Sequence, residues 1–158
     1  MAAPGFDDIY MDLAKTLALK SHCVKMQVGA VLTKDTRIIS LGCNGPPSGT
    51  HNCDTEWPDE GCPRDSKGGC SLAIHAEQNA VLYAAKNKVS VEGATLYVTL
   101  SPCLACAKVV FTAGIKKVIF LNSYAQYKGI QSDEGVDFLR KFSVEVQQYR
   151  PEAVLPSK

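Results

Sequence analysis

The sequence has almost no net charge, no apolar run near the roughly 18 residues of a membrane span, and no internal repeat or low-complexity tract. Its 17 basic and 16 acidic residues leave a formal charge of +1. That balance excludes the broad positive field with which a protein coating nucleic acid neutralises phosphates, and it suits small substrates better than polymers. The opening Met1-Ala2-Ala3-Pro4-Gly5 lacks a basic segment followed by an apolar run, so the reading places the protein in the cytoplasm, away from membranes. With 158 residues and 46% hydrophobic content, the chain suits one domain over 1–158 that buries about 70% of the surface its unfolded form would expose.

What the sequence does hold is cysteine, seven in all. In a reducing compartment these stay free, and an odd number does not close a disulfide set, so metal binding is the better expectation. Along the chain, Phe6, Ile9, Tyr10, Leu13, Leu17 and Lys20 recur at spacings of three and four, which predicts an amphipathic helix over 6–21. Strands over 27–33 and 37–41 flank Lys34-Asp35-Thr36, a short polar connection consistent with a hairpin. Residues 42–71 are rich in proline and glycine and predict no regular structure. Helices follow over 74–88, 103–113 and 133–142, and strands over 95–99, 118–121 and 144–149. Ser101-Pro102 reads as the N-cap and first residue of the 103–113 helix. The sum is an α/β chain: a mixed five-stranded sheet covered by helices on both faces, its last two strands parallel across a right-handed crossover.

Two of those helix starts carry the chemistry. Cys103 and Cys106, three apart, face one way, and the exposed amides at a helix N-terminus favour their thiolates. Adding His75 makes three metal ligands. Structural zinc sites normally close with four, whereas three leave a position open to water, as hydrolytic zinc requires. Glu77 lies about 200° around an ideal helix from His75, so the two converge only at the helix's first turn. There Glu77 need not bind metal and is free to carry protons. Taken singly, His75 reads more readily as a hydrogen-bonded structural histidine, and the cysteine pair as buried thiols or half of a structural site. Together, His75-Ala76-Glu77 and Pro102-Cys103-Leu104-Ala105-Cys106 match the H-x-E and P-C-x-x-C signature of zinc-dependent nucleobase deaminases.

The likeness extends further. Gln27-Val28-Gly29-Ala30-Val31, Arg37-Ile38-Ile39-Ser40, Gly42-Cys43-Asn44-Gly45, His75-Ala76-Glu77-Gln78-Asn79-Ala80, Tyr97-Val98-Thr99-Leu100-Ser101-Pro102-Cys103 and Ala113-Gly114-Ile115-Lys116-Lys117-Val118 together resemble the deoxycytidylate (dCMP) deaminases of the cytidine deaminase superfamily, the bacteriophage type above all. The resemblance implies a three-layer αβα cytidine-deaminase-like fold. It also implies hydrolysis of dCMP to dUMP and ammonia, in supply of thymidylate synthesis. By position it makes Asn44 a sugar contact, against the local reading of a left-handed turn asparagine. It lines the base pocket with the backbone of Val28, Gly29, Ala30 and Ala76, and sets Gln27 and Lys25 near the nucleotide's entrance. Tyr83 and Lys86 lie one and two turns along the zinc helix, Lys86 reading otherwise as a solvated charge. Tyr124 and Tyr127, in a polar loop after a strand, either stack on a base or cap the core.

Phage-type members hold a second, structural zinc, and Cys23 and Cys53 match ligand positions there. Cys62 and Cys70 are the natural candidates for the other two ligands, with His51 in reserve. Such a site gives order to the Cys-rich insertion at about 46–73, a length of irregular chain that otherwise lacks a reason to stay fixed. The resemblance further implies a hexamer activated by dCTP and inhibited by dTTP, with Mg2+ on the triphosphate and Gly42, Asn44 and Gly45 at the regulatory site. Cys43 stands there in place of the family's usual tyrosine.

Other functions fit less well. A deaminase of cytidine or deoxycytidine keeps the zinc site and dispenses with phosphate binding. A nucleic-acid deaminase calls for a basic track or stacking aromatics, whereas this chain has an acidic loop with Asp54, Glu56, Asp59, Glu60 and Asp65. A zinc-stabilised binding module without catalysis dispenses with Glu77, which is present.

Overall fold

The computed structural model describes residues 3–57 and 62–151, so Asp59 and Glu60 of the acidic loop lie outside the described residues. In chain order the elements are α1 (Phe6–Ala18), β1 (Gly29–Lys34), β2 (Arg37–Cys43), α2 (Cys53–Glu56), α3 (Ala76–Lys86), β3 (Thr95–Leu100), α4 (Leu104–Thr112), β4 (Lys117–Asn122), α5 (Tyr124–Lys128), α6 (Glu134–Lys141) and β5 (Glu145–Gln148). The five strands form one sheet in the order β2-β1-β3-β4-β5. β1 runs antiparallel to β2 and β3, while β3, β4 and β5 are mutually parallel, as expected for the last pair.

Strand alternation decides which helices cover which face. Ala30 and Leu32 of β1, Leu96 and Val98 of β3, and Val118 and Phe120 of β4 point to a core shared with Ala80, Val110 and Leu139 of α3, α4 and α6. Their neighbours Val31, Tyr97 and Ile119 point the other way, onto Tyr10, Met11 and Ala14 of α1. Polar bonds fix α1 to its face: Tyr97 donates to Asp7 at 2.6 Å, and Tyr149 donates to Asp8.

The β1–β2 hairpin turns on Asp35 and Thr36, at φ of 50° and 59°. Two successive left-handed residues give the turn whose twist matches the flanking strands. A β-branched threonine there is unusual, and the Tyr10 hydroxyl holds it by donating to its carbonyl at 2.8 Å.

Three sequence expectations need correction. The insertion is not wholly irregular: it contains the single turn α2 and an isolated bridge pairing Arg64 with Cys70, and a second bridge, Gly45 with Ile74, joins its two ends. The polar loop after β4 contains the five-residue α5, too short for a 3.6-residue period to register. The N-cap of α4 is Cys103 rather than Ser101, because the Ser101 hydroxyl is turned away, toward Asp133 and the Tyr124 amide.

Candidate active site

The site forms at the carboxyl end of β3, where the sheet changes from antiparallel to parallel neighbours. β3 leads through Ser101 and Pro102 into α4, and α3 begins beside it. His75 and Cys103 are the N-cap residues of these two helices, both in extended backbone, and Cys106 stands at N3 of α4. His75 Nδ1 lies 3.5 Å from Cys103 Sγ and 3.2 Å from Cys106 Sγ. Among the described residues, these form the one set of three or more His, Cys, Asp or Glu ligand atoms found mutually within 4.8 Å.

Crowding leaves an electrostatic mark. A hydrogen bond with Cys106, reinforced by His75, draws Cys103 down to about 4, while that same bond pushes Cys106 above its ordinary range. His75 is raised chiefly by its bond to Cys103. Two sulfurs and an imidazole nitrogen are a donor set suited to zinc, and three protein ligands leave room for a fourth. Glu77, 4% exposed, sits in the first turn of α3, where burial lifts its carboxyl to about 7.

A cleft of about 420 Å³ opens onto this group. Val28, Asn44, Ala76 and Glu77 are among its lining residues, as are Lys25, Arg64, Tyr124, Tyr127 and Lys128. Of the expected pocket residues, Gly29 and Ala30 lie within β1 and are not among the lining residues, while Gln27 borders an adjoining groove. Asn44 is not left-handed. Its side-chain oxygen accepts from the Val28 amide at 2.8 Å and its amide donates to the Met26 carbonyl at 2.8 Å, fastening the end of β2 to the pocket's inner wall. Asn44→Ala strands a buried N–H and C=O, and is expected to destabilise by about 2 kcal/mol. Thermal or denaturant unfolding checks this.

Arg64 and Lys128 are cleft residues that the sequence reading missed. Arg64 belongs to a tight turn in which Asp65 Oδ1 accepts from the amides of Lys67 and Gly69, and its guanidinium donates to the Gly68 carbonyl at 3.0 Å. Lys128 Nζ lies 5.8 Å and 5.6 Å from the ring centres of Tyr124 and Tyr127, which hold the cation over their faces. An Arg-Asp pair in an irregular loop and a lysine beside two tyrosines carry no spacing that marks them.

The family model described as the cytidine and deoxycytidylate deaminase zinc-binding region matches residues 5–122. The chain belongs to this family. A deoxycytidylate deaminase of Schizosaccharomyces pombe is 35% identical over 155 residues, covering 94% of this chain and 45% of that protein. One of Enterobacteria phage T2 is 36% identical over 169 residues, covering 86% of this chain and 88% of that one. The crystal structure of dCMP deaminase from the cyanophage S-TIM5 in complex with dCMP and dUMP superposes with a TM-score of 0.76 at 34% identity, covering 94% of this chain and 100% of that chain. This chain thus spans less than half of the fission-yeast relative and most of the length of the phage ones.

Four of the five remaining cysteines, Cys23, Cys53, Cys62 and Cys70, lie near one another, and Cys23 and Cys70 line the cleft. Burial raises Cys53, with Cys70, Cys23 and Cys62 near enough to add to the effect. Burial also raises Cys62, which is hydrogen-bonded to Cys70. Burial pushes Cys70 up as well, but the amides of Ala73 and Leu72, with Cys62 and Lys25, bring it below its ordinary value. No three of these four sulfurs fall within 4.8 Å of one another. His51 is largely exposed, its Nδ1 3.7 Å from Glu56. Tyr83 and Lys86 are exposed on α3 and do not line the cleft.

At the segment read as regulatory, Gly42 has a packing reason: a Cβ there meets the Ala80 nitrogen at 2.8 Å and the Ala76 carbonyl oxygen at 2.9 Å. Only glycine lets β2 approach α3 so closely. Among the described residues, no helix is long and apolar enough to cross a membrane.

Proposed function

We propose that this chain hydrolyses dCMP to dUMP and ammonia, with zinc held by His75, Cys103 and Cys106. The observation that carries the proposal is one cleft lined by His75, Cys103 and the buried Glu77, with Cys106 Sγ 3.2 Å from His75 Nδ1, and by three cations, Lys25, Arg64 and Lys128. Zinc, when bound, supplies Lewis-acid activation of water. Glu77 accepts one proton from the attacking water and gives it to the pyrimidine ring nitrogen, then takes the proton left on the added hydroxyl and gives it to the amino group, which departs as ammonia, so that no net proton is left on the enzyme. Val28 and Ala76 shape the base pocket, Asn44 fixes Val28, and Tyr124 and Tyr127 offer ring faces to the base or sugar.

The cations separate a nucleotide from a nucleoside substrate. Arg64 and Lys128 are assigned to the 5′-phosphate, with Lys25 beside them. Their removal is then expected to be selective: Arg64→Ala and Lys128→Ala each raise KM for dCMP by about tenfold, the worth of one charge-assisted hydrogen bond, and leave kcat/KM for deoxycytidine within about twofold. Equal losses on both substrates contradict a phosphate role. The acidic residues Asp54 and Asp65 near this wall disfavour a polynucleotide, and free nucleotides as substrates agree with a cytoplasmic enzyme.

The gathering of Cys23, Cys53, Cys62 and Cys70 supports a second zinc of structural type. Cys53→Ser is expected to lower metal content from two per chain to one while sparing the catalytic ion, as elemental analysis of the purified variant reads directly. The hexamer, and control by dCTP and dTTP with Mg2+, stay attached to the proposal through the family resemblance at Gly42, Asn44 and Gly45, and are read by sizing the protein and adding each triphosphate to the dCMP assay.

A further inference from the structure

The walls of the cleft differ in how they are held. Val28 and Ala76 belong to the main buried core, but Tyr124, Tyr127 and Lys128 all come from α5, five residues that are too few to be stable as a helix alone. Something outside α5 must hold it.

Two serine hydroxyls do so. Ser101 Oγ accepts from the Tyr124 amide at 2.7 Å, and Ser123 Oγ accepts from the Gln126 amide at 3.4 Å. A hydroxyl has one proton and rotates freely, so its lone pairs face those amides only if the proton is claimed from another direction. One carboxylate oxygen claims both. Asp133 Oδ2 accepts from Ser101 Oγ at 2.5 Å and from Ser123 Oγ at 3.1 Å. Its partner oxygen, Oδ1, is buried and finds no hydrogen-bond partner among the described residues. Asp133 does not line the cleft.

We propose that Asp133 is a positioning residue that sets substrate affinity: it orients the Ser101 and Ser123 hydroxyls so that they hold the first turn of α5, and with it Tyr124, Tyr127 and Lys128, against the substrate. The proposal rests on the dCMP reading for its kinetic consequence but not for its structural one. The Asp133 side chain hydrogen-bonds to Ser101 and Ser123 and, among the described residues, to neither the metal ligands nor Glu77, so the chemical step is left intact and the deficit falls on binding.

The test is Asp133→Ala beside Asp133→Asn, which keeps an oxygen for the two hydroxyls. Asp133→Ala is expected to raise KM for dCMP by about tenfold with kcat within about twofold and catalytic zinc retained, and Asp133→Asn to recover most of that loss. Hydrogen exchange supplies a readout that needs no substrate: protection at the amides of Tyr124 and Gln126 falls in the alanine variant while that of α3 and α4 is unchanged. Should Asp133→Ala fail to fold, Ser123→Ala carries the same expectation on α5 exchange. Unchanged α5 protection in a folded variant overturns the proposal. So does an Asp133→Asn enzyme as impaired as the alanine one, or an equal fall in kcat with KM unmoved. A wild-type protein that does not turn over dCMP removes the dCMP reading instead, and the exchange measurement still decides the role of Asp133.

Discussion

Glu77→Gln is expected to keep the catalytic metal and lose about a thousandfold in kcat, the middle of the range for a positioned general acid–base. The substitution is nearly isosteric, and the site around it is rigid: Ala76 is wholly buried, Glu77 is 4% exposed, and the His75 amide is fixed by donating to Gln78 Oε1 at 3.1 Å. The three metal ligands come from the helix starts on either side and do not include Glu77. What the amide cannot do is carry the two protons of the attacking water in turn, the first to the ring nitrogen and the second to the departing amino group. KM is therefore expected to move little while kcat collapses, which steady-state kinetics on metal-replete protein resolves. A variant that keeps a full metal complement and more than about a tenth of the activity removes Glu77 from proton transfer.

Gly135→Ala is expected to be the most damaging single methyl in the chain outside the cleft. Gly135 is buried in the first turn of α6, where a Cβ meets the Pro102 carbonyl oxygen at 1.8 Å and the Pro102 and Cys103 carbonyl carbons at 2.9 Å. These are backbone atoms and have no rotamer with which to yield. Either α6 moves outward, separating Leu139 and Val136 from the core they share with Val110, or the Pro102-Cys103 segment moves and carries a metal ligand with it. Overpacking of this kind costs about 3 kcal/mol or more. For a chain of this length that corresponds to a fall in Tm of roughly 10 °C, with catalytic-site zinc lost in step. Calorimetry and metal content on the same preparation check both. A stable, zinc-replete Gly135→Ala contradicts the packing of α6 on the ligand segment.

Much of this site was legible in the sequence because its parts are punctuated. His75, Glu77, Cys103 and Cys106 stand at helix starts, where capping chemistry and fixed ligand spacing coincide, and the strands alternate cleanly between the two cores. The parts that were not legible lack periodicity. Arg64 enters the cleft through a turn built by Asp65, and Lys128 through a helix of little more than one turn. Ser101 illustrates a different failure. Its place before Pro102 has the form of an N-cap, but a carboxylate 32 residues later competes for its hydroxyl, and local sequence does not reveal a long-range partner. Asn44 lines the cleft, and its alternative as a left-handed turn fails because its φ is not positive, its side chain instead bridging Met26 and Val28.

The most direct test of the central claim is ammonia release from dCMP and deoxycytidine, side by side, on protein of known zinc content. The proposal predicts zinc-dependent turnover of dCMP, with dUMP as the matching product, at a kcat/KM about tenfold or more above that for deoxycytidine. Equal or better use of deoxycytidine contradicts it by making the cleft's three cations irrelevant to the substrate, and no release from either, with zinc in place, contradicts deamination of free cytosine compounds altogether.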